Sequence, residues 1–290
     1  PLFQSLFREL EISDQILYAN EHSKNRYILR NGILHPIPFS PGAFVRSGLW
    51  SLPGKLRLLK EPFIGRGRRE ETVAEFIRRR LGREFLDYAI NPFVAGVFAG
   101  NPEELSVRAA FPKLYALEER YGGLLKGQIL GSRDRRKRAE RSKDRARMFT
   151  FRDGMQAFPK AIASALGARV VRSCVVREIR KIEKGRRSIF EVRGKASGKA
   201  FVYRADAVVT ALPSFVTAEL LSHMDAPLAH SLKNLPYPPV AEVFLGFRSL
   251  DIRRDLDGFG FLVPDLERRK ILGTIWSSSL FPGRAPEGFS

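Results

Sequence analysis

Apolar residues recur at helical spacing in the opening segment Leu2-Phe3-Gln4-Ser5-Leu6-Phe7-Arg8-Glu9-Leu10, which predicts a short amphipathic helix. Tyr27-Ile28-Leu29-Arg30 and Ile33-Leu34 then read as strands around Asn31-Gly32, a pair suited to a hairpin turn because both positions need positive φ. From Pro36 to Pro62, prolines and glycines punctuate Phe39, Phe44, Leu49, Trp50, Leu52, Leu56, Leu58 and Leu59, all set among basic residues. Residues 70–90 predict one amphipathic helix, with Val73, Phe76, Ile77, Leu81, Phe85 and Tyr88 on its apolar stripe and Arg78, Arg79, Arg83 and Glu84 facing away. Asn101-Pro102-Glu103-Glu104 predicts a further helix start, since Asn caps, Pro suits the first turn and acids favour the positive helix end. Pro112 should interrupt that helix, and a second piece from Lys113 should stop near Gly122-Gly123.

The pattern lapses between Arg133 and Arg147, where nine basic and three acidic residues leave a local charge of +6 and no apolar residue larger than alanine. A solvated loop is expected there. A helix near Met155 to Leu166 leads to strands at about 170–182, 189–192 and 201–203, with a turn at 194–198. Ala207-Val208-Val209-Thr210-Ala211-Leu212 is a continuous apolar run, as in a strand buried on both faces. Val240 to Phe247, Phe259 to Val263 and Ile271 to Trp276 predict a strand meander, and no internal repeat is visible.

With 290 residues and 44% hydrophobic content, the chain can bury a sizeable core in one large or two modest domains, and its 22 Phe rule out disorder. Cys174 is the only cysteine, so an intramolecular disulfide and a cysteine metal cluster are both excluded. His22, His35, His223 and His230 make no metal pair at helical spacing, so no metal site is expected. No run approaches the ~18 apolar residues of a spanning helix, and no signal peptide is seen. Pro1 opens the chain and residues 285–290 form no terminating element, so a piece of a longer protein is expected.

Fifty Lys+Arg against 31 Asp+Glu give a formal charge of +19. A nucleic-acid surface would interleave aromatics with the cations, and the basic block has none, so no nucleic-acid partner is expected. An anionic membrane surface suits the stretch from Pro36 to Phe98, where Phe, Leu and Trp alternate with Arg and Lys. A merely solvated basic surface is the third reading, and charge alone does not choose among them. Gly65-Arg66-Gly67 and Gly258-Phe259-Gly260 lack the third glycine and following helix of a dinucleotide loop. No Ser/His/Asp or Cys/His set stands out, and no catalytic side chain is assigned.

Tyr88-Ala89-Ile90-Asn91-Pro92-Phe93-Val94-Ala95-Gly96-Val97-Phe98-Ala99-Gly100-Asn101-Pro102-Glu103-Glu104-Leu105-Ser106 resembles a signature of the oxygen-dependent protoporphyrinogen oxidase family. In the same order follow Ala110-Phe111-Pro112-Lys113-Leu114, Phe151-Arg152-Asp153-Gly154-Met155-Gln156, Ala207 to Pro213, Leu256-Asp257-Gly258-Phe259-Gly260-Phe261-Leu262-Val263-Pro264 and Leu272-Gly273-Thr274-Ile275-Trp276-Ser277-Ser278. The resemblance covers nearly the whole chain, with residues 131–147 the least similar. It implies an FAD-containing flavoprotein of the amine-oxidase-like superfamily. The fold class expected is α+β / α/β, with a mixed β-sheet substrate domain and an inserted helical membrane-associating domain. On this footing residues 1–46 belong to the substrate domain, 47–147 to the membrane-associating domain, 148–222 to the FAD domain and 223–290 to the substrate-domain meander. The glycine-rich FAD loop would lie upstream and a second flavin-contacting segment downstream, so the stretch by itself is expected to be inactive.

Residue by residue, the resemblance makes Arg26 the partner of a substrate propionate, with Arg30 as a competitor and a plain salt bridge as the alternative role. Phe93 and Gly96 match a turn that lines the pocket, where glycine permits close approach to a flat ligand. Val240, Leu256 and Trp276 match apolar positions that sandwich the macrocycle, although commoner members carry Leu and Phe where Val240 and Trp276 stand. Val175 matches a residue whose backbone contacts the FAD adenine. The chemistry implied is six-electron oxidation of protoporphyrinogen IX to protoporphyrin IX in heme biosynthesis, with FAD as acceptor and dioxygen yielding three hydrogen peroxide. The implied location is peripheral, on the cytoplasmic side of a membrane with an anionic surface, and a homodimer is a compatible assembly. Oxidation of coproporphyrinogen III to coproporphyrin III, and a non-catalytic basic module for RNA or membrane, are the alternatives.

Overall fold

A computed structural model of the chain describes residues 2–137, 147–184 and 187–290. Helix α1 (Leu2–Glu9) forms as its periodicity predicts and buries Phe7. Strand β1 (Ile16–Tyr18) is followed by the hairpin of β2 (Asn25–Arg30) and β3 (Ile33–Pro36). The intervening Asn31 and Gly32 have φ of 52° and 76°, the left-handed pair the turn demands. Helices α2 (Pro41–Arg46) and α3 (Leu52–Leu58) each open on a serine whose hydroxyl accepts a first-turn N–H, with proline in that turn.

The single helix expected over 70–90 is three pieces. Helix α4 (Val73–Arg80) starts at a capping box made by Thr72 and Glu75. Gly82, at φ 95°, then turns the chain into the short α5 (Arg83–Phe85) and a π-helical turn over Leu86–Ile90. Hydrophobic periodicity runs on through such a break because both sides face the same core, and glycine is its only local mark. Helix α6 (Asn91–Phe98) follows directly. Asn101 does not start a helix; its Oδ1 accepts from the Glu103 N–H in a turn, and α7 (Val107–Ala110) is capped by Ser106 instead. Helix α8 (Pro112–Tyr121) begins at Pro112 and stops at Gly122, as expected. Helix α9 (Leu124–Lys137) carries helical structure into the basic block, against the loop expected there, because Arg and Lys are good helix formers. The rest of the block, 138–146, lies outside the described residues.

Strand β4 (Phe149–Phe151) and helix α10 (Ala157–Leu166) precede three long strands, β5 (Cys174–Lys184), β6 (Arg187–Ala196) and β7 (Lys199–Ala205). Gly194 lies inside β6, and the turn is made by Ser197-Gly198 alone. Helices α11 (Ser214–Leu221) and α12 (Ala226–Lys233) lead to β8 (Gly258–Leu262), β9 (Gly273–Ile275) and α13 (Ser277–Leu280). Two expected strands are absent. Residues 207–212 and 240–247 form none, with Val209 90% and Phe244 81% exposed. A strand is held by its ladder; among the described residues 207–212 has no pairing partner, and 240–247 is paired only at its end, where Phe247 and Ser290 exchange backbone hydrogen bonds.

The chain divides into two compact units. One comprises Pro1–Ser13 and Gln156–Pro238 and holds the antiparallel meander β5-β6-β7. The other comprises Asp14–Met155 and Pro239–Ser290 and holds the pair β1-β4 and a mixed sheet in the order β3-β2-β8-β9. In that sheet β2 pairs antiparallel with β3 and parallel with β8. The divisions fall after Ser13, Met155 and Pro238, and strands remote in sequence share one sheet of the second unit. Mixed sheets with surrounding helices accord with the expected fold class. The main core of this unit packs Val73, Phe76 and Ile77 of α4 against Leu86, Val94, Val107 and Leu124. A second core stacks Trp50 on Phe85, ring centroids 4.7 Å apart, beneath Ile28 of β2.

Candidate functional site

Of the site residues expected in the second unit, Arg26 lies at the junction of β2 and β8. Asn25 pairs with Gly258 and Arg26 with Gly260, so Phe259 is the extra residue of a β-bulge. The Arg26 guanidinium lies 5.4 Å above the Phe259 ring. Arg26 is exposed, and no carboxylate among the described residues pairs with it. Arg30, its competitor, is committed internally. Arg30 donates to Glu84 at 2.6 Å and to the Leu49 carbonyl, and lies 4.2 Å over the Tyr88 ring. Of the two arginines, Arg26 alone has its guanidinium open to an external anion.

Gly96 lies on the same side of the sheet. Ile28 pairs with Leu262 and is two residues on from Arg26, so Arg26 and Leu262 share a face. Leu262 touches Gly96 so closely that a Cβ there would stand 2.9 Å from Leu262 Cδ2. Helix α6 turns Pro92, Val94 and Ala95 into the core and leaves Phe93 (41% exposed) and Gly96 outward. Phe93 packs on Phe111 with the rings tilted, centroids 5.9 Å apart.

Trp276 takes the other side. Its ring is buried 5.7 Å from Tyr27 and 6.4 Å from Phe261, and the Tyr27 side chain leaves β2 on the face opposite to that of Arg26. Arg254 lies 4.4 Å over Tyr27 and 5.6 Å over Trp276. Leu256 is half-buried just ahead of β8, and Val240 is exposed in an unpaired segment. The structure therefore brings Arg26 and Gly96 to one face and does not bring Trp276 to it. Val175 belongs to the first unit, on edge strand β5, with an exposed side chain. Its carbonyl oxygen lies against Gly194, where a Cβ would come within 2.2 Å. That oxygen is thus turned into the sheet, and the Val175 side chain is exposed.

Two polar clusters escaped sequence reasoning. Tyr27 Oη donates to both carboxylate oxygens of Asp257 at 2.8 Å, and Asn25 Nδ2 donates to Asp257 Oδ2 at 3.2 Å. The Tyr27 bond holds the Asp257 carboxyl below the usual carboxylate range, while burial and then Asp257 push the Tyr27 hydroxyl up. The second cluster is Arg80 between Glu61 and Glu118, at 3.2 and 2.8 Å. Glu61 also accepts the Leu124 and Leu125 N–H groups at the start of α9. A signal for it existed: Val73, Phe76, Ile77 and Arg80 share one helix stripe, which places Arg80 on the apolar face. A cleft of about 380 Å³ lined by residues including Ser51, Arg57, Gly82 and Asp87 involves none of the expected site residues. No helix among the described residues is long and apolar enough to cross a membrane.

A sequence model of the family described as flavin containing amine oxidoreductase matches residues 1–290, and the chain belongs to that family. Membership carries the flavin with it, in agreement with the FAD expected from the sequence. Among curated relatives, the chloroplastic protoporphyrinogen oxidase of Oryza sativa subsp. japonica is 35% identical over 96% of this chain and 54% of its own length. Protoporphyrinogen oxidase 1 of Arabidopsis thaliana, also chloroplastic, is 34% identical over 94% and 53%. The protoporphyrinogen oxidase of Homo sapiens is 32% identical over 96% and 59%. The chain thus spans about half the length of the curated relatives it matches. A solved structure from Exiguobacterium sp. 255-15, provisionally described as a protoporphyrinogen oxidase, superimposes with a TM-score of 0.68 at 20% identity, over 98% of this chain and 61% of its own. It shares the fold.

Proposed function

We propose that the full-length protein carrying this chain oxidises protoporphyrinogen IX to protoporphyrin IX, with dioxygen as the final acceptor. The observation that carries the reading is Arg26, an exposed guanidinium without a carboxylate partner among the described residues, on the sheet face shared with Leu262 and, against it, Gly96. A bidentate guanidinium suits the carboxylate of a propionate. FAD supplies the electron acceptor. The part of this chain is to bind and orient: Arg26 holds a propionate, Phe93 and Gly96 line one wall, and Leu256 borders the β8 end. The names of the relatives support this substrate over coproporphyrinogen III.

The segment from 47 to 147 serves in this reading as the membrane-attaching part. Support comes from Leu52, Leu56, Leu59 and Phe63, which are 69, 54, 68 and 89% exposed and stand among the exposed cations Arg46 and Lys60. Apolar anchors beside cations suit attachment to one leaflet of an anionic membrane. Two solution measurements test the function: the visible absorbance of a bound flavin, and the rise of porphyrin fluorescence from each porphyrinogen in air. A colourless protein, or one that oxidises only coproporphyrinogen III, overturns the proposal.

A further inference from the structure

We propose that Tyr27 and Asp257 are positioning residues for carboxylate binding, their hydrogen bond fixing the β8 bulge on which the Arg26 guanidinium rests. The inference depends on the reading of Arg26 as the tether of a substrate propionate. Several contacts converge on Asp257. Tyr27 Oη donates to both its oxygens at 2.8 Å, Asn25 Nδ2 donates to Oδ2 and to the main-chain oxygen at 3.2 Å each, and Arg254 Nη2 stands 3.7 Å from Oδ1. These bonds join the start of β2 to the residue just before β8.

The pairing changes register at that point. Asn25 faces Gly258 and Arg26 faces Gly260, so the squeezed-out residue is Phe259, whose ring lies under the guanidinium. The strands are as close there as main chain allows, since a Cβ on Gly258 would fall 2.7 Å from the Asn25 oxygen. Tyr27 projects from the opposite face of β2, so it acts on Arg26 through the backbone and the bulge. Arginine loses rotamer freedom on capturing an anion, and a ring held beneath it removes part of that loss before binding. The clamp also fixes the neighbours of its two ends, Arg26 beside Tyr27 and Leu256 beside Asp257.

The test uses the full-length protein and two substrates, a porphyrinogen with free propionates and its propionate diester. Tyr27→Phe keeps the ring against Trp276 and removes only the donor; Asp257→Ala is the second variant should the first fold poorly. Each is expected to raise KM for the free acid about 3- to 10-fold, the usual scale of one hydrogen bond, and to shift KM for the diester less than about twofold. Arg26→Ala alone should raise the free-acid KM about 10-fold or more, and Tyr27→Phe should add nothing in that background. Equal rises for acid and diester, or additive effects with Arg26→Ala, overturn the positioning role while leaving the tether intact. An unchanged free-acid KM in Arg26→Ala overturns the tether, and the positioning role with it.

Discussion

The Arg80 guanidinium and the Glu61 carboxylate meet at 3.2 Å with neither side chain exposed to water. Glu118, also nearly buried, closes on the other side of the guanidinium at 2.8 Å. Removing Arg80 would leave Glu61 buried without its cation and Glu118 with Arg79 alone, and an uncompensated buried charge is the costliest way to break such a pair. Arg80→Ala is expected to destabilise the protein by about 3–5 kcal/mol in urea unfolding. Arg80→Lys should fall between, because a point charge cannot serve both carboxylates as a fork does. A loss below about 1 kcal/mol for Arg80→Ala would show that the network contributes little.

Acid should loosen the same helices. Burial opposes ionisation of Glu118, but bonds from Arg80, Arg79 and the Gly67 N–H outweigh it and hold the carboxyl below its ordinary value. The folded state therefore binds this proton less readily than the unfolded chain. Its contribution is complete above the unfolded value of about 4.3 and is lost as pH falls through the lower folded one. Thermal midpoints should drop below about pH 4, and Glu118→Gln should flatten that drop while lowering the midpoint at neutral pH. Parallel curves for the two proteins would exclude Glu118 as a contributor.

Gly260 combines φ of 139° with close strand packing, since a Cβ there would fall only 2.0 Å from the Thr274 oxygen. Gly260→Ala should thus cost at least about 3 kcal/mol, by strain and by prying β8 from β9. Soluble expression with an unaltered melting midpoint would contradict this geometry.

Trp276 packs on Tyr27 and Phe261 beneath Arg254. Trp276→Phe should cost less than about 1.5 kcal/mol and Trp276→Ala about 3–5, the difference being the cavity left beside Tyr27. Equal melting midpoints for the two variants would place the ring outside the packed layer.

Exposed Leu52, Leu56, Leu59 and Phe63 lead to a vesicle prediction. Binding to anionic vesicles should weaken with salt, and replacing these four by serine should reduce it by about 10-fold or more, given ~25 cal/mol per Å² of apolar surface. Equal binding to neutral vesicles would remove the electrostatic part.

Local chemistry was legible from the residues alone. Asn31-Gly32 specified its hairpin, and Pro112 and Gly122 bound α8. The ordered motifs from Tyr88 to Ser278 were enough to indicate the family, and Arg26 could be singled out among the basic residues only by that resemblance.

Tertiary structure decided what depends on a partner elsewhere in the chain. An apolar run such as 207–212 has the composition of a strand, but a ladder needs a second strand, and composition does not supply one. Arg80 is as basic as the exposed Arg78, yet only the approach of Glu61 and Glu118 makes its burial tolerable. Arg26 and Arg30 stand on one strand, β2; Glu84 and Tyr88 engage the second and leave the first open. Short-range preferences are written residue by residue, whereas pairing, burial and charge neutralisation are settled by whichever groups the folded chain brings within a few ångströms.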